Sequence, residues 1–101
     1  MMDADTPARP ERPPAQREVA ILNRRGLHAR AAAKFVKLAA QFDARVKVAR
    51  SGMEVGGDSI MGLMMLSAGP GAMITLTAEG RDASAALDAL QELIARKFDE
   101  D

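Results

Sequence analysis

Between residues 17 and 98 the spacing of apolar side chains switches repeatedly between two and about 3.6, with a break at each switch. Such a chain must interleave strands with helices, which excludes a pure helical bundle and a pure strand barrel alike. Glu18-Val19-Ala20-Ile21-Leu22 reads as a first strand with Val19 and Ile21 on one face. Asn23-Arg24-Arg25-Gly26-Leu27 is a loop in which Gly26 is free to adopt a tight or left-handed turn. From Ala29 to Phe42, the residues Ala32, Phe35, Val36 and Ala39 recur at helical spacing while Lys34, Lys37 and Gln41 face outward. Ala44, Val46 and Val48 alternate with Arg45, Lys47 and Ala49, a half-buried strand that turns through Ser51-Gly52 into Met53-Glu54-Val55.

Ser59 is a good N-cap for a short apolar helix running to Leu66, and Gly69-Pro70-Gly71 is a turn. Ala72, Ile74, Leu76 and Ala78 alternate with Met73, Thr75 and Thr77 in a fourth strand. Gly80-Arg81-Asp82 supplies another turn and an N-cap aspartate for a last helix, Ala83 to Lys97, with Ala86, Leu87, Leu90, Leu93 and Ile94 on one face. The order β-α-β-β-α-β-α predicts an α+β fold in which one four-stranded antiparallel sheet carries three helices on one face.

Four of the five prolines fall within residues 1–16, which have almost nothing to bury, so a disordered tail is expected there and a domain from about Arg17. The absence of cysteine excludes disulfides and thiolate sites and suits a reducing cytoplasm. With one histidine no multi-histidine metal cage can form, and neither metal nor cofactor is expected. No tryptophan or tyrosine and three phenylalanines leave little for stacking nucleic-acid bases. No apolar run approaches the ~20 residues of a membrane span. The formal net charge of zero hides an asymmetry: residues 17–98 hold 12 Lys and Arg against 8 Asp and Glu, while Asp99-Glu100-Asp101 forms an acidic tail. A mildly basic body suits an acidic partner or a phosphate.

His28 stands where the Gly26-Leu27 turn meets the first helix. The unpaired amides of a first helical turn attract anions, and Arg24, Arg25 and Arg30 flank the position. An imidazole nitrogen is a good nucleophile near neutral pH, and the same amides and guanidinium would stabilise a phosphoryl group once attached. The alternative is a capping or surface histidine in a basic loop. A Ser-His-Asp hydrolase fails, because Gly57-Asp58-Ser59-Ile60-Met61 lacks the second glycine of a nucleophile elbow. A Walker-type loop is absent as well.

In the short helix Ile60, Leu63 and Leu66 form one stripe, and Met61, Met64 and Met65 another. Two readings stand open: a deeply buried helix with methionine filling an irregular core, or an exposed, adaptable docking patch. A phosphate on Ser59 would add charge beside that patch and disfavour an acidic partner. Arg24, Arg25, Lys34 and Lys37 are either a solvated face or the rim of a partner site.

Together, Arg25-Gly26-Leu27-His28-Ala29-Arg30 before an alanine-rich helix resembles the active-site segment of the HPr family, the histidine-containing phosphocarriers of the bacterial phosphoenolpyruvate-dependent phosphotransferase system. Gly57-Asp58-Ser59-Ile60-Met61-Gly62-Leu63-Met64-Met65-Leu66 is similar to that family's regulatory-serine segment, and the Gly80-Arg81-Asp82-Ala83 turn also fits. The resemblance implies an open-faced β-sandwich, and a His28 that takes a phosphoryl group on Nδ1 from phosphorylated Enzyme I and passes it to an EIIA-type domain. It implies that Arg30 and the helix-start amides, Ala29 and Arg30, hold the phosphate, and that Ser59 is the target of HPr kinase/phosphorylase. Ile60, Met61 and Met64 match partner-docking positions, with Arg25 and Lys37 at the rim.

Two departures stand out. Ala31 replaces the family's usual proline, which predicts a softer helix start with the chemistry retained. The acidic ending resembles some nitrogen-regulatory paralogues. The expectation is a cytoplasmic, monomeric carrier, not an enzyme in its own right. Its rivals are a Ser59-controlled regulatory binding module and a nucleic-acid binder.

Overall fold

The computed structural model describes residues 14–100. Most of the predicted N-terminal tail (residues 1–13), and Asp101 of the acidic ending, lie outside the described residues. The elements are β1 (Ala15–Ala20), α1 (Ala29–Ala39), β2 (Arg45–Arg50), β3 (Met53–Gly56), α2 (Ile60–Met65), β4 (Met73–Glu79) and α3 (Ala83–Ala95), followed by a short turn at Lys97–Asp99. The strands form one antiparallel sheet in the order β1-β4-β2-β3, with three helices packed to one side as an open-faced sandwich.

β1 starts at Ala15, two residues before the expected domain start, because β4 runs on to Glu79 and offers backbone partners to Ala15 and Gln16. Side-chain alternation is blind to that pairing. Regular pairing stops at Ala20 rather than Leu22, and Ile21 bonds the chain around Gly71 and Ala72 instead. β2 and β3 are joined through Ser51 (φ 52) and Gly52 (φ 85), left-handed at both positions as a two-residue hairpin requires.

One face of β1, β2 and β4 is buried, through Val19 in β1, Val46 and Val48 in β2, and Ile74, Leu76 and Ala78 in β4, while the edge strand β3 buries no residue fully. Against it α3 lays Ala86, Leu87, Leu90, Leu93 and Ile94, the predicted stripe, and α1 lays Ala31, Ala32, Phe35 and Ala39. Val36, expected in that stripe, is only half-buried. α1 also stops at Ala39 instead of Phe42, and its end tightens into i→i+3 bonds from Gln41 and Phe42. Fully burying Phe35, Leu87, Leu90, Leu93 or Ile94 contributes about 1.5–3 kcal/mol each, and the alanines between them let the helices approach closely, so these two faces hold the helices on the sheet.

Asp82 does sit at the N-cap position of α3, but its carboxylate makes no capping bond there. Its Oδ2 accepts from the Asp43 backbone N–H at 2.8 Å, and Asp82 N–H donates to Asp43 O at 2.9 Å. The aspartate ties the α1–β2 connection to the start of α3. α3 ends at Ala95 rather than Lys97, and the chain then reverses through three consecutive left-handed residues, Lys97, Phe98 and Asp99 (φ 58, 56 and 61). This turn drives Phe98 fully into the core and brings Glu100 back across the start of α1.

Candidate functional site

The loop Asn23–His28 is held from below by the segment after α2. Leu27 N–H donates to Ala68 O at 3.0 Å, and Gly26 takes φ +65 directly over that carbonyl. A Cβ on Gly26 would lie 2.2 Å from Ala68 O, so only glycine fits. His28 is thereby set at the N-cap of α1, in extended backbone (φ −76, ψ 178). Histidine is a poor N-cap beside Ser, Thr, Asp or Asn, and its Nδ1 accepts from Arg30 N–H at a long 3.3 Å. Helix stability does not explain why an imidazole stands here.

The ring's other nitrogen, Nε2, meets the Glu100 carboxylate directly, and the two side chains are only 16% and 13% exposed. Glu100 Oε1 also accepts from Asn23 Nδ2 at 3.1 Å. Asn23, wholly buried, spends the same amide group on Gly26 O at 2.9 Å. With two acceptors facing it, that end of the amide must be the nitrogen. Burial is the largest single influence on Glu100 and pushes its carboxyl up. Hydrogen bonds from His28 and Asn23, with the charges of His28 and Arg25, more than offset this and hold the carboxyl below its ordinary range.

Beside this pair opens a cavity of about 310 Å³ lined by Arg24, Arg25, Arg30, Lys34, Asp99 and Glu100. Arg24, Arg25, Ala29 and Arg30 are exposed, and the first turn of α1 holds no acidic residue. Lys34 is partly turned inward, where its Nζ donates to Phe98 O at 2.7 Å and pins the C-terminal turn. Lys37 does not line this cavity; it lies in the last turn of α1, where a cation complements the helix dipole. Ala31 is fully buried in the first turn, and α1 begins at Ala29 without the proline.

Ser59 caps α2 as expected, its Oγ accepting from Gly62 N–H at 2.9 Å. Of the predicted buried stripe, Leu63 and Leu66 are buried, but Ile60 is 40% exposed. Ile60 instead joins Met61, Met64 and Met65 on a surface that the rest of the fold leaves uncovered. A six-residue helix touching α1 on one side and β3 on another can bury little more than Leu63. Of the two open readings, the exposed patch is the one realised.

The family model described as the "PTS HPr component phosphorylation site" matches residues 15–96. The chain belongs to the HPr family of phosphocarrier proteins. It is 51% identical over 85 residues to the phosphocarrier protein HPr of Cupriavidus necator, covering 84% of this chain and 96% of that one. It is also 47% identical over 85 residues to the phosphocarrier protein NPr of Shewanella violacea, covering 84% of this chain and 93% of that one. In three dimensions it matches HPr-C-His from Thermoanaerobacter tengcongensis with a TM-score of 0.82 at 40% identity, over 86% of this chain and 98% of that one. The HPr-like open-faced fold and the phosphotransferase-system family predicted from the two motifs are both borne out.

Three residues of the site went unassigned in the sequence: Asn23, Lys34 as a turn anchor, and Glu100. A signal existed for the last. Phe98 is the one large apolar residue beyond Ile94, and an aromatic at a charged chain end has to be anchored somewhere. Among the described residues no group of three or more His, Cys, Asp or Glu is placed to hold a metal ion. No helix among them is long and apolar enough to cross a membrane.

Proposed function

We propose that this HPr-family protein accepts a phosphoryl group on His28 Nδ1 from phosphorylated Enzyme I and passes it to an EIIA-type domain. The observation that carries the reading is the placement of His28. Its Nδ1 faces the amide of Arg30 at the start of a helix with no acidic residue in its first turn, beside a cavity rimmed by four cations and by the carboxylates of Asp99 and Glu100. Transfer is in line. The helix-start amides of Ala29 and Arg30, with the Arg30 guanidinium, hold the phosphoryl oxygens as charge moves onto them. The protein acts as a covalent relay member in the cytoplasm, drawing its phosphoryl group from Enzyme I, and works as a monomer in transient complexes.

Partners dock on the exposed Ile60, Met61 and Met64, with Arg25 and Lys37 meeting their acidic groups. Ser59 is the regulatory site for HPr kinase/phosphorylase: a phosphate there stands at the edge of the docking patch and repels an acidic partner. The relatives include both HPr and NPr proteins, so the accepting EIIA belongs to either the sugar or the nitrogen branch.

The test is intact-mass analysis after incubation with phosphoenolpyruvate and Enzyme I, before and after brief acid treatment. One acid-labile phosphoryl group, absent in His28→Ala and acquired more slowly by Arg30→Ala, is the expected result. A folded His28→Ala protein that still gains the group sinks the assignment. No adduct on the wild type with an active Enzyme I makes His28 structural and leaves the Ser59 patch as the functional surface.

A further inference from the structure

We infer that Glu100 is a positioning residue for the His28 imidazole, one that dictates which ring nitrogen is free to react; this rests on the carrier reading above. An ionised carboxylate can only accept hydrogen bonds, so the proton shared between the pair belongs to His28 Nε2. A neutral imidazole then has its lone pair on Nδ1, and Nδ1 is the nitrogen that faces Arg30 N–H. The ring is clamped between a donor at the helix start and an acceptor from the chain end. Both clamps select the same tautomer.

The acceptor is itself held. Asn23 Nδ2 fixes the second oxygen of Glu100, and Lys34 Nζ holds the preceding turn through Phe98 O. Phe98 is fully buried, and the left-handed backbone of Lys97–Asp99 exists only because these anchors override its cost. A solvated acidic tail would need none of this. The construction points Glu100 at one atom.

The chemistry explains its use. As the Nδ1 lone pair attacks, an N–P bond forms and the bond from phosphorus to the donor protein breaks, its electron pair leaving with the donor. The imidazole has kept its Nε2 proton and is now a cation, formed against the Glu100 carboxylate. On transfer to the acceptor the N–P bond breaks, its pair returns to Nδ1, and the ring is neutral again. In both directions the carboxylate favours the charged ring without touching phosphorus. Carboxylates that orient a histidine in this way are worth about 10–100-fold behind a metal-bound imidazole and about 10⁴-fold behind the catalytic imidazole of a Ser-His-Asp triad.

The test compares wild type, Glu100→Ala and Glu100→Gln by imidazole nitrogen and proton NMR and by the rate of phosphoryl acceptance from phospho-Enzyme I. In the wild type Nε2 carries a slowly exchanging proton and Nδ1 reads as unprotonated. Glu100→Ala loses that protected resonance and accepts phosphate about tenfold more slowly. Glu100→Gln keeps the shape but an acceptor for only one of the two donors, His28 Nε2 and Asn23 Nδ2, so it restores the resonance and the rate only in part. A merely structural role would lower the melting temperature without this pattern. Acceptance by Glu100→Ala at the wild-type rate or faster overturns the inference, as does a wild-type ring protonated on Nδ1. A wild type that accepts no phosphoryl group fails earlier and overturns the carrier reading with it.

Discussion

Phe98→Ala should release the whole C-terminal turn rather than leave a hole beneath it, and the magnitudes say why. Burying the ring contributes about 2–3 kcal/mol, and a phenylalanine truncated within a rigid core costs about 3–5 kcal/mol once the cavity is included. Against this, the left-handed backbone of Lys97, Phe98 and Asp99 costs roughly 1 kcal/mol or more at each residue. The charge-assisted bond from Lys34 to Phe98 O contributes about 1.5–3 kcal/mol. Without the ring, this bond and the Glu100 contacts to His28 and Asn23 do no more than match the roughly 3–6 kcal/mol of strain over three residues, so the turn lets go.

Detachment caps the global loss near the value of the ring's burial, about 2–3 kcal/mol, because no enclosed cavity is ever formed. At about 4–8 °C per kcal/mol for a domain of this size, the melting temperature should fall by roughly 10–20 °C. Amide exchange should report lost protection confined to Lys97–Glu100 and the His28 loop, with β4 and α3 keeping theirs. The protected Nε2 proton of His28 should vanish in the same variant, since Glu100 leaves with the turn. A melting temperature within a few degrees of wild type refutes the reasoning. So does a large loss of stability in which Glu100 still holds His28.

Two further outcomes follow from the same contacts. Gly26→Ala should cost at least about 3 kcal/mol in urea unfolding, since a strained left-handed alanine is compounded by a 2.2 Å approach to Ala68 O. Gly52→Ala, with φ +85 but nothing within 4 Å, is the control and should cost only about 1–2 kcal/mol; equal losses would refute the clash. The Glu100 carboxyl is depressed in the folded state, so the unfolded chain binds its proton more readily. Its stabilising contribution is therefore fully present above the ordinary glutamate value of ~4.3 and is lost as pH falls through the lower folded value. Wild type should exceed Glu100→Gln in stability at about pH 6, and that margin should shrink as the pH is lowered below the ordinary glutamate value; a margin that stays constant on acidification would contradict the assigned pairing.

The fold was legible because its two periods are clean. β4 alternates Ile74, Leu76 and Ala78 with exposed or half-exposed partners, and α3 repeats its leucines on one face, so hydrophobic pattern and burial coincide. Where they diverge, backbone pairing decides: Ala15 and Gln16 join the sheet because β4 offers them partners. α1 ends short of its apolar pattern for a related reason. Phe42 lies on the helical stripe, but the bonds that reach it are of the tighter i→i+3 kind. Spacing alone puts Ile60 in line with Leu63 and Leu66, but a helix of six residues has too few neighbours to cover it.

The site was half legible, and the dividing line is instructive. His28, Arg30 and Ser59 sit in short motifs whose roles depend on immediate neighbours, a glycine turn before and a helix start after, and local sequence specifies both. Glu100 meets His28 across 72 residues of sequence, delivered by three left-handed residues that no propensity favours. Counting charges placed it in an acidic tail and surrounded His28 with cations alone. The fold does the reverse, bringing the tail's carboxylate to the ring nitrogen opposite the helix start. An all-cationic surround would favour a bound anion but oppose any positive charge on the imidazole. With Glu100 on one nitrogen and the helix amides facing the other, the same ring can carry a cation and hold an anion at once, which is what a phosphorylated imidazole demands.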